Sequence, residues 1–188
     1  MLHDNDWPIP EGRNGLSVWR TNRLIAIIHQ KIQSLIESER ELPMVWSQMH
    51  MFSSMQLGKL LALSRGLDPE FASILCVLHD IYTIFTGKTE EHGIRAESYI
   101  REIIFEYNEL KGNKLKLFTA EEVSQLIEAI KIHSEKNTIT DDPYAELLKD
   151  VDSLDSYLHG MTPGRRSGRL PRVNSVLEEL GIEHKVTK

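Results

Sequence analysis

His79 and Asp80 stand side by side in the stretch FASILCVLHDIYTIF, residues 71–85, which is apolar enough for the centre of a core. Burying a carboxylate without a partner is expensive, so Asp80 calls for a cation or strong hydrogen-bond donors. Four more titratable residues fall on or beside apolar helical faces. His50 shares a face with Trp46, Leu57 and Leu61; His92 precedes Ala96 by one turn on the line of Tyr99, Ile100 and Ile103; His133 follows Ile130; and Asp152 follows Leu148 by one turn. A single histidine on such a face is usually a hydrogen-bonded core residue. Several together, with two carboxylates and few inward Lys or Arg, make the mixed nitrogen and oxygen donor set that divalent transition metals accept. His79 and Asp80 therefore read as metal ligands. Neighbouring helical residues point about 100° apart, so both reach one ion only near a helix end, and other helices must supply the remaining ligands. No zinc-finger spacing and no HExxH motif occurs.

The elements that must position these residues are helical nearly throughout, which predicts an all-α fold, a compact single-domain helical bundle. A first helix is expected over about 17–40 and a second from Pro43 to near Gly66. A third is expected to be capped by Asp68, with Pro69 at its first position, and to run through the 71–85 stretch; apolar on nearly all sides, it should be central. HGIRAESYIREIIFEYNELKG predicts a fourth helix and TAEEVSQLIEAIKIH a fifth, opened by a capping box of Thr119 with Glu122. DDPYAELLKDVDSLDSYLHG predicts a sixth with Asp142 as cap, and VNSVLEELG a short last one. This divides the chain into an N-terminal segment with the first helix (1–42), a core (43–160), and an Arg-rich loop with a short C-terminal helix (161–188).

With 188 residues, 40% of them hydrophobic, the chain suffices for one well-packed core. A formal net charge of -6 argues against binding a nucleic-acid polymer, though not against a small phosphorylated molecule. The lone cysteine, Cys76, lies in the apolar run, and no leader-like N-terminus or membrane-length apolar run is present. A reducing, cytoplasmic setting is expected, with no membrane partner.

The ordered set His50, then LHD ending in His79 and Asp80, then Asp152 in DVDSLD resembles the HD-domain superfamily of metal-dependent phosphohydrolases. The likeness spans about residues 45–158, and LDPEFASILCVLHDI resembles the helix leading into that superfamily's HD doublet. The resemblance implies one divalent ion (Mn, Mg, Co, Ni, Fe or Zn) on His50, His79, Asp80 and Asp152. Some members bind a second ion through two intervening histidines while the HD aspartate bridges. His92 and His133 occupy suitable places for that, or would hold a substrate phosphate. The chain lacks the ED that follows the doublet in alarmone hydrolases, the nearby glutamate of bacterial deoxynucleotidases, and the GYP signature of cyclic dinucleotide phosphodiesterases.

The resemblance implies hydrolysis of a phosphomonoester or phosphodiester in a nucleotide or other small phosphorylated metabolite, through metal-activated water. His133, His92 and Lys88 are the candidates, in that order, for the acid that protonates the leaving group. Asp155, one turn after Asp152, either orients a ligand or caps a helix, and Asp150 is expected at the surface. Arg165, Arg166 and Arg169 would contact the substrate if the Arg-rich loop closes over the site, although a solvated basic linker is the plainer reading. The alternatives are a non-catalytic HD-type protein that uses its metal for sensing or interaction, and a metal-free helical interaction module. The exposed apolar side of the first helix would suit a homodimer.

Overall fold

The computed structural model describes residues 16–110, 114–161 and 168–183, and the described residues form helices joined by turns, with no strand among them. Eight α-helices follow in order: α1 (Trp19–Ile32), α2 (Met44–Ser64), α3 (Pro69–Leu78), α4 (Ile81–Thr86), α5 (His92–Asn108), α6 (Ala120–Lys131), α7 (Pro143–Leu158) and α8 (Arg169–Glu179). A 3-10 turn, Glu37–Glu39, lies between α1 and α2.

Helix starts follow local chemistry. Asp68 Oδ1 accepts from the backbone N–H of Glu70 (2.8 Å) and opens α3 with Pro69 in its first turn. Thr119 Oγ1 accepts from the N–H of Glu122 while Glu122 Oε2 accepts from the N–H of Thr119, a complete capping box. Asp142 Oδ1 accepts from the N–H of Tyr144 at the start of α7.

α3 is the central element: every residue from Phe71 to Leu78 is buried, and the helix packs against α1, α2, α6 and α7. Each large side chain buried in this way contributes about 1.5–3 kcal/mol. Gly58 lets α2 approach α3 closely, since a Cβ there would stand 2.5 Å from Cys76 Sγ.

Three expectations are corrected. The first helix ends at Ile32, well before residue 40; Ser34 Oγ takes the Lys31 carbonyl, and the chain turns so that Arg40 is extended. From there the Arg40 guanidinium donates to the carbonyls of Ile84 (2.7 Å) and Thr83 (3.0 Å), closing the end of α4. The third helix does not continue to Phe85 but breaks at His79 and Asp80. His79 Nδ1 donates to the Cys76 carbonyl at 2.7 Å, competing with the helical backbone pattern, and α4 starts afresh at Ile81. The last helix begins at Arg169, four residues before the expected Val173, with Pro171 accommodated in its first turn.

Candidate metal centre

The break between α3 and α4 brings His79 and Asp80 to a point faced by α2, α5, α7 and the turn after α6. Nε2 of His50 lies 3.1 Å from Nε2 of His79, and Oδ2 of Asp80 lies 3.5 Å from the first and 3.6 Å from the second. On the other side Nε2 of His92 lies 2.9 Å from Nε2 of His133, and Oδ1 of Asp80 lies 3.2 Å from His92 and 3.7 Å from His133. One carboxylate is thus divided between two histidine pairs. The two groups, His50 with His79 and Asp80, and Asp80 with His92 and His133, are each close enough to hold a metal ion. Ligands at about 2.1 Å and right angles around one ion stand about 3 Å apart, the scale of these separations.

The imidazoles are oriented for this. Nδ1 of His79, His92 and His133 donates to the carbonyls of Cys76 (2.7 Å), Thr89 (2.8 Å) and Ile130 (2.6 Å). Nδ1 of His50 donates to Oδ2 of buried Asp155 at 2.5 Å, and Trp46 stacks parallel to the His50 ring. With every Nδ1 spent as a donor, each Nε2 presents its lone pair to the centre. Two such nitrogens facing each other need a proton or a cation between them. Asp80 Oδ1 is buried without a hydrogen-bond partner, as expected of an oxygen waiting on a cation. These residues fit a divalent ion.

The electrostatics agree in most respects. Burial lowers the pKa of His79, and burial together with the Lys136 charge brings His133 down to about 3, so both are neutral ligands at pH 7. Burial opposes ionisation of Asp80, but the surrounding histidines outweigh it and hold the carboxyl at about 2. His50 goes the other way: burial disfavours its charge, yet hydrogen bonds to Asp152 and Asp155 raise it to about 10.

Asp152 stands at the His50 edge of the first group, Oδ1 3.5 Å from Nε2. Its other contacts are the Ser156 hydroxyl, which donates to Oδ1 at 3.4 Å, and two cations. Nζ of Lys136 lies 2.5 Å from Oδ2, and Arg169 reaches Oδ1 and Oδ2, each at 3.2 Å. Lys136 is a residue that the sequence reading missed. It is buried and also donates to the His133 carbonyl at 2.6 Å. The signal was slight, a lysine three residues after His133 in a turn where no periodicity assigns a face. Ser134 was missed as well; its Oγ lies 3.3 Å from Nε2 of His92.

Lys88 is exposed in the turn after α4 and makes no ion pair with the cluster. Asp150 is not a free surface residue: it is paired with Arg65 and Arg172, each at 2.8 Å, because α8 packs along α7. Arg165 and Arg166 lie outside the described residues. Gly93 makes the second group possible, since a Cβ there would stand 2.7 Å from the Ile130 carbonyl oxygen and 3.1 Å from Nδ1 of His133.

The family model described as HD domain matches residues 48–157, more than half of the chain and a span that contains every member of both groups. The chain belongs to the HD domain family. As an HD domain it falls within a superfamily of metal-dependent phosphohydrolases, whose members bind divalent metals. Comparison with curated proteins and with solved structures returned no match. Among the described residues no helix of this HD domain is long and apolar enough to cross a membrane.

Proposed function

We propose that this HD domain is a phosphohydrolase that cleaves a phosphomonoester or phosphodiester in a nucleotide or another small phosphorylated metabolite, in the cytoplasm. The observation that carries the reading is the division of the Asp80 carboxylate between the His50–His79 and His92–His133 pairs. His50, His79, Asp80 and Asp152 would hold one divalent ion, and Asp80, His92 and His133 a second. Such ions, when bound, supply a water of lowered pKa and offset charge on the phosphoryl oxygens.

The chain's own groups do the rest. Asp155 fixes the His50 ring, and the carbonyls of Cys76, Thr89 and Ile130 fix the other three. Lys136 holds Oδ2 of Asp152, leaving Oδ1 turned toward His50. Arg169 sits over the same carboxylate at the edge of the centre and, with Arg165 and Arg166, is proposed to contact the substrate. With only the first ion bound, His92, whose ring is less buried than that of His133, is instead the better placed of the two to give a proton to a leaving group. With no ion pair to the cluster, Lys88 ranks behind both. The net charge of -6 supports a small substrate rather than a nucleic-acid polymer.

The test is phosphate release from a panel of nucleotides, sugar phosphates and small phosphodiesters with each of Mn, Mg, Co, Ni, Fe and Zn. Metal-dependent turnover of at least one class, lost in Asp80→Ala, supports the reading. Wild-type protein that binds metal and turns over nothing would favour a sensing or interaction role.

A further inference from the structure

The second group of ligands is one donor short of the first. His50, His79, Asp80 and Asp152 offer two imidazoles and two carboxylates, whereas Asp80, His92 and His133 offer two imidazoles and one carboxylate. Ser134 places a further oxygen beside that second group. Its Oγ lies 3.3 Å from Nε2 of His92 and 3.5 Å from Nε2 of His133, and those two nitrogens are 2.9 Å apart. Oδ1 of Asp80 forms a similar triangle with the same nitrogens, at 3.2 Å and 3.7 Å. Donors about 2.1 Å from one ion stand about 3.0 Å apart at right angles and about 3.4 Å apart at the tetrahedral angle, and all five separations are on that scale.

Ser134 is exposed, but the turn that carries it is fixed on both sides. The Glu135 N–H donates to the Ile132 carbonyl (3.0 Å), the Lys136 N–H to the Ser134 carbonyl (2.9 Å), and Lys136 Nζ to the His133 carbonyl (2.6 Å). A hydroxyl carries one proton and satisfies only one of two facing imidazole lone pairs. With a cation between the rings the proton turns away, and an oxygen lone pair faces the ion. Hard divalent ions accept such a neutral oxygen, as Mg accepts the Ser or Thr hydroxyl of a phosphate-binding loop. We propose that Ser134 Oγ is a ligand of the second ion, so that each group has two imidazole nitrogens and two oxygens. The proposal rests on the two-group reading of the centre and not on turnover. It also sets a preference, because oxygen at this position favours a hard ion such as Mn where sulfur would favour a soft one.

The test loads the full chain with Mn or with Cd alone, in wild type, Ser134→Ala and Ser134→Cys. Both substitutions fall at an exposed turn position, so helical circular dichroism should be unchanged. Wild type should take up two equivalents of Mn. Ser134→Ala should bind one of them at least ~10-fold more weakly, the loss that removal of even an orienting partner causes. Ser134→Cys loaded with Cd should show a sulfur-to-metal charge-transfer absorption that wild type lacks, since the native thiol, Cys76, is buried. Unchanged Mn affinity in Ser134→Ala would overturn the proposal. So would Cd-loaded Ser134→Cys without that absorption, even beside a weakened Ser134→Ala, because the side chain would then reach the ion only through water. A wild type that takes up fewer than two equivalents would overturn the two-group reading along with it.

Discussion

Nζ of Lys136 lies 2.5 Å from Oδ2 of Asp152, with both side chains almost wholly buried. The pair joins the turn after α6 to α7 beside the metal centre. Removing Lys136 takes one of two cations from a buried carboxylate, leaving Arg169, and costs at most about 3 kcal/mol. Lys136→Met should therefore lower the Tm in the presence of a chelator. Added Mn should recover more of the loss than it adds to wild type, because a cation on Oδ1 replaces part of the missing positive charge. Differential scanning calorimetry with and without metal reads this directly, and an unchanged Tm in chelator would contradict it.

Asp155 touches no proposed ligand atom; it accepts from Nδ1 of His50 and so sets the ring's direction. Loss of such an orienting carboxylate weakens metal binding by about 10–100-fold. Asp155→Ala should show that loss for one metal equivalent in a buffered-metal titration, with the helical signal retained.

Gly93 separates the two groups of ligands. A methyl at this position collides with the Ile130 carbonyl and crowds the His133 ring, so the nearest atoms it meets belong to α6 and the turn after it. Gly93→Ala is expected to reduce bound metal from two equivalents to one. Elemental analysis of the purified variant, beside wild type, checks the count.

Acid stability has a source far from the centre. Burial opposes ionisation of Glu122, but Arg20, the Thr119 backbone N–H and Lys116 outweigh it and bring its carboxyl from 4.5 to about 2. A folded pKa below the unfolded one means that the stabilisation is complete above about 4.5 and is lost as pH falls toward about 2. Wild type should thus lose Tm across that window. Glu122→Gln should start lower at neutral pH and fall less steeply there.

The starts of α3, α6 and α7 were legible in the sequence because a capping side chain acts within one turn of its own helix, as Asp68, Thr119 and Asp142 do. The histidines on apolar faces were legible for a similar reason: helical periodicity assigns a face before any tertiary contact is known. The break at His79 was not, since it depends on one imidazole capturing the Cys76 carbonyl at a centre built by four other segments. Lys136 and the Asp150 pairing escaped for the same cause. Lys136 lies in a turn outside any helical repeat, and Asp150 looks like a solvent-facing residue until α8 brings Arg172 against it.

The central claim is that Asp80 serves both groups of ligands with its two oxygens. Its most direct test is metal content per chain, by elemental analysis after reconstitution, in wild type and Asp80→Ala. Two equivalents in wild type and a loss of metal at both groups in the variant are predicted, because the first then keeps only His50, His79 and Asp152 and the second only His92 and His133. A variant that retains the wild-type content, or a wild type that takes up no metal, would contradict the account.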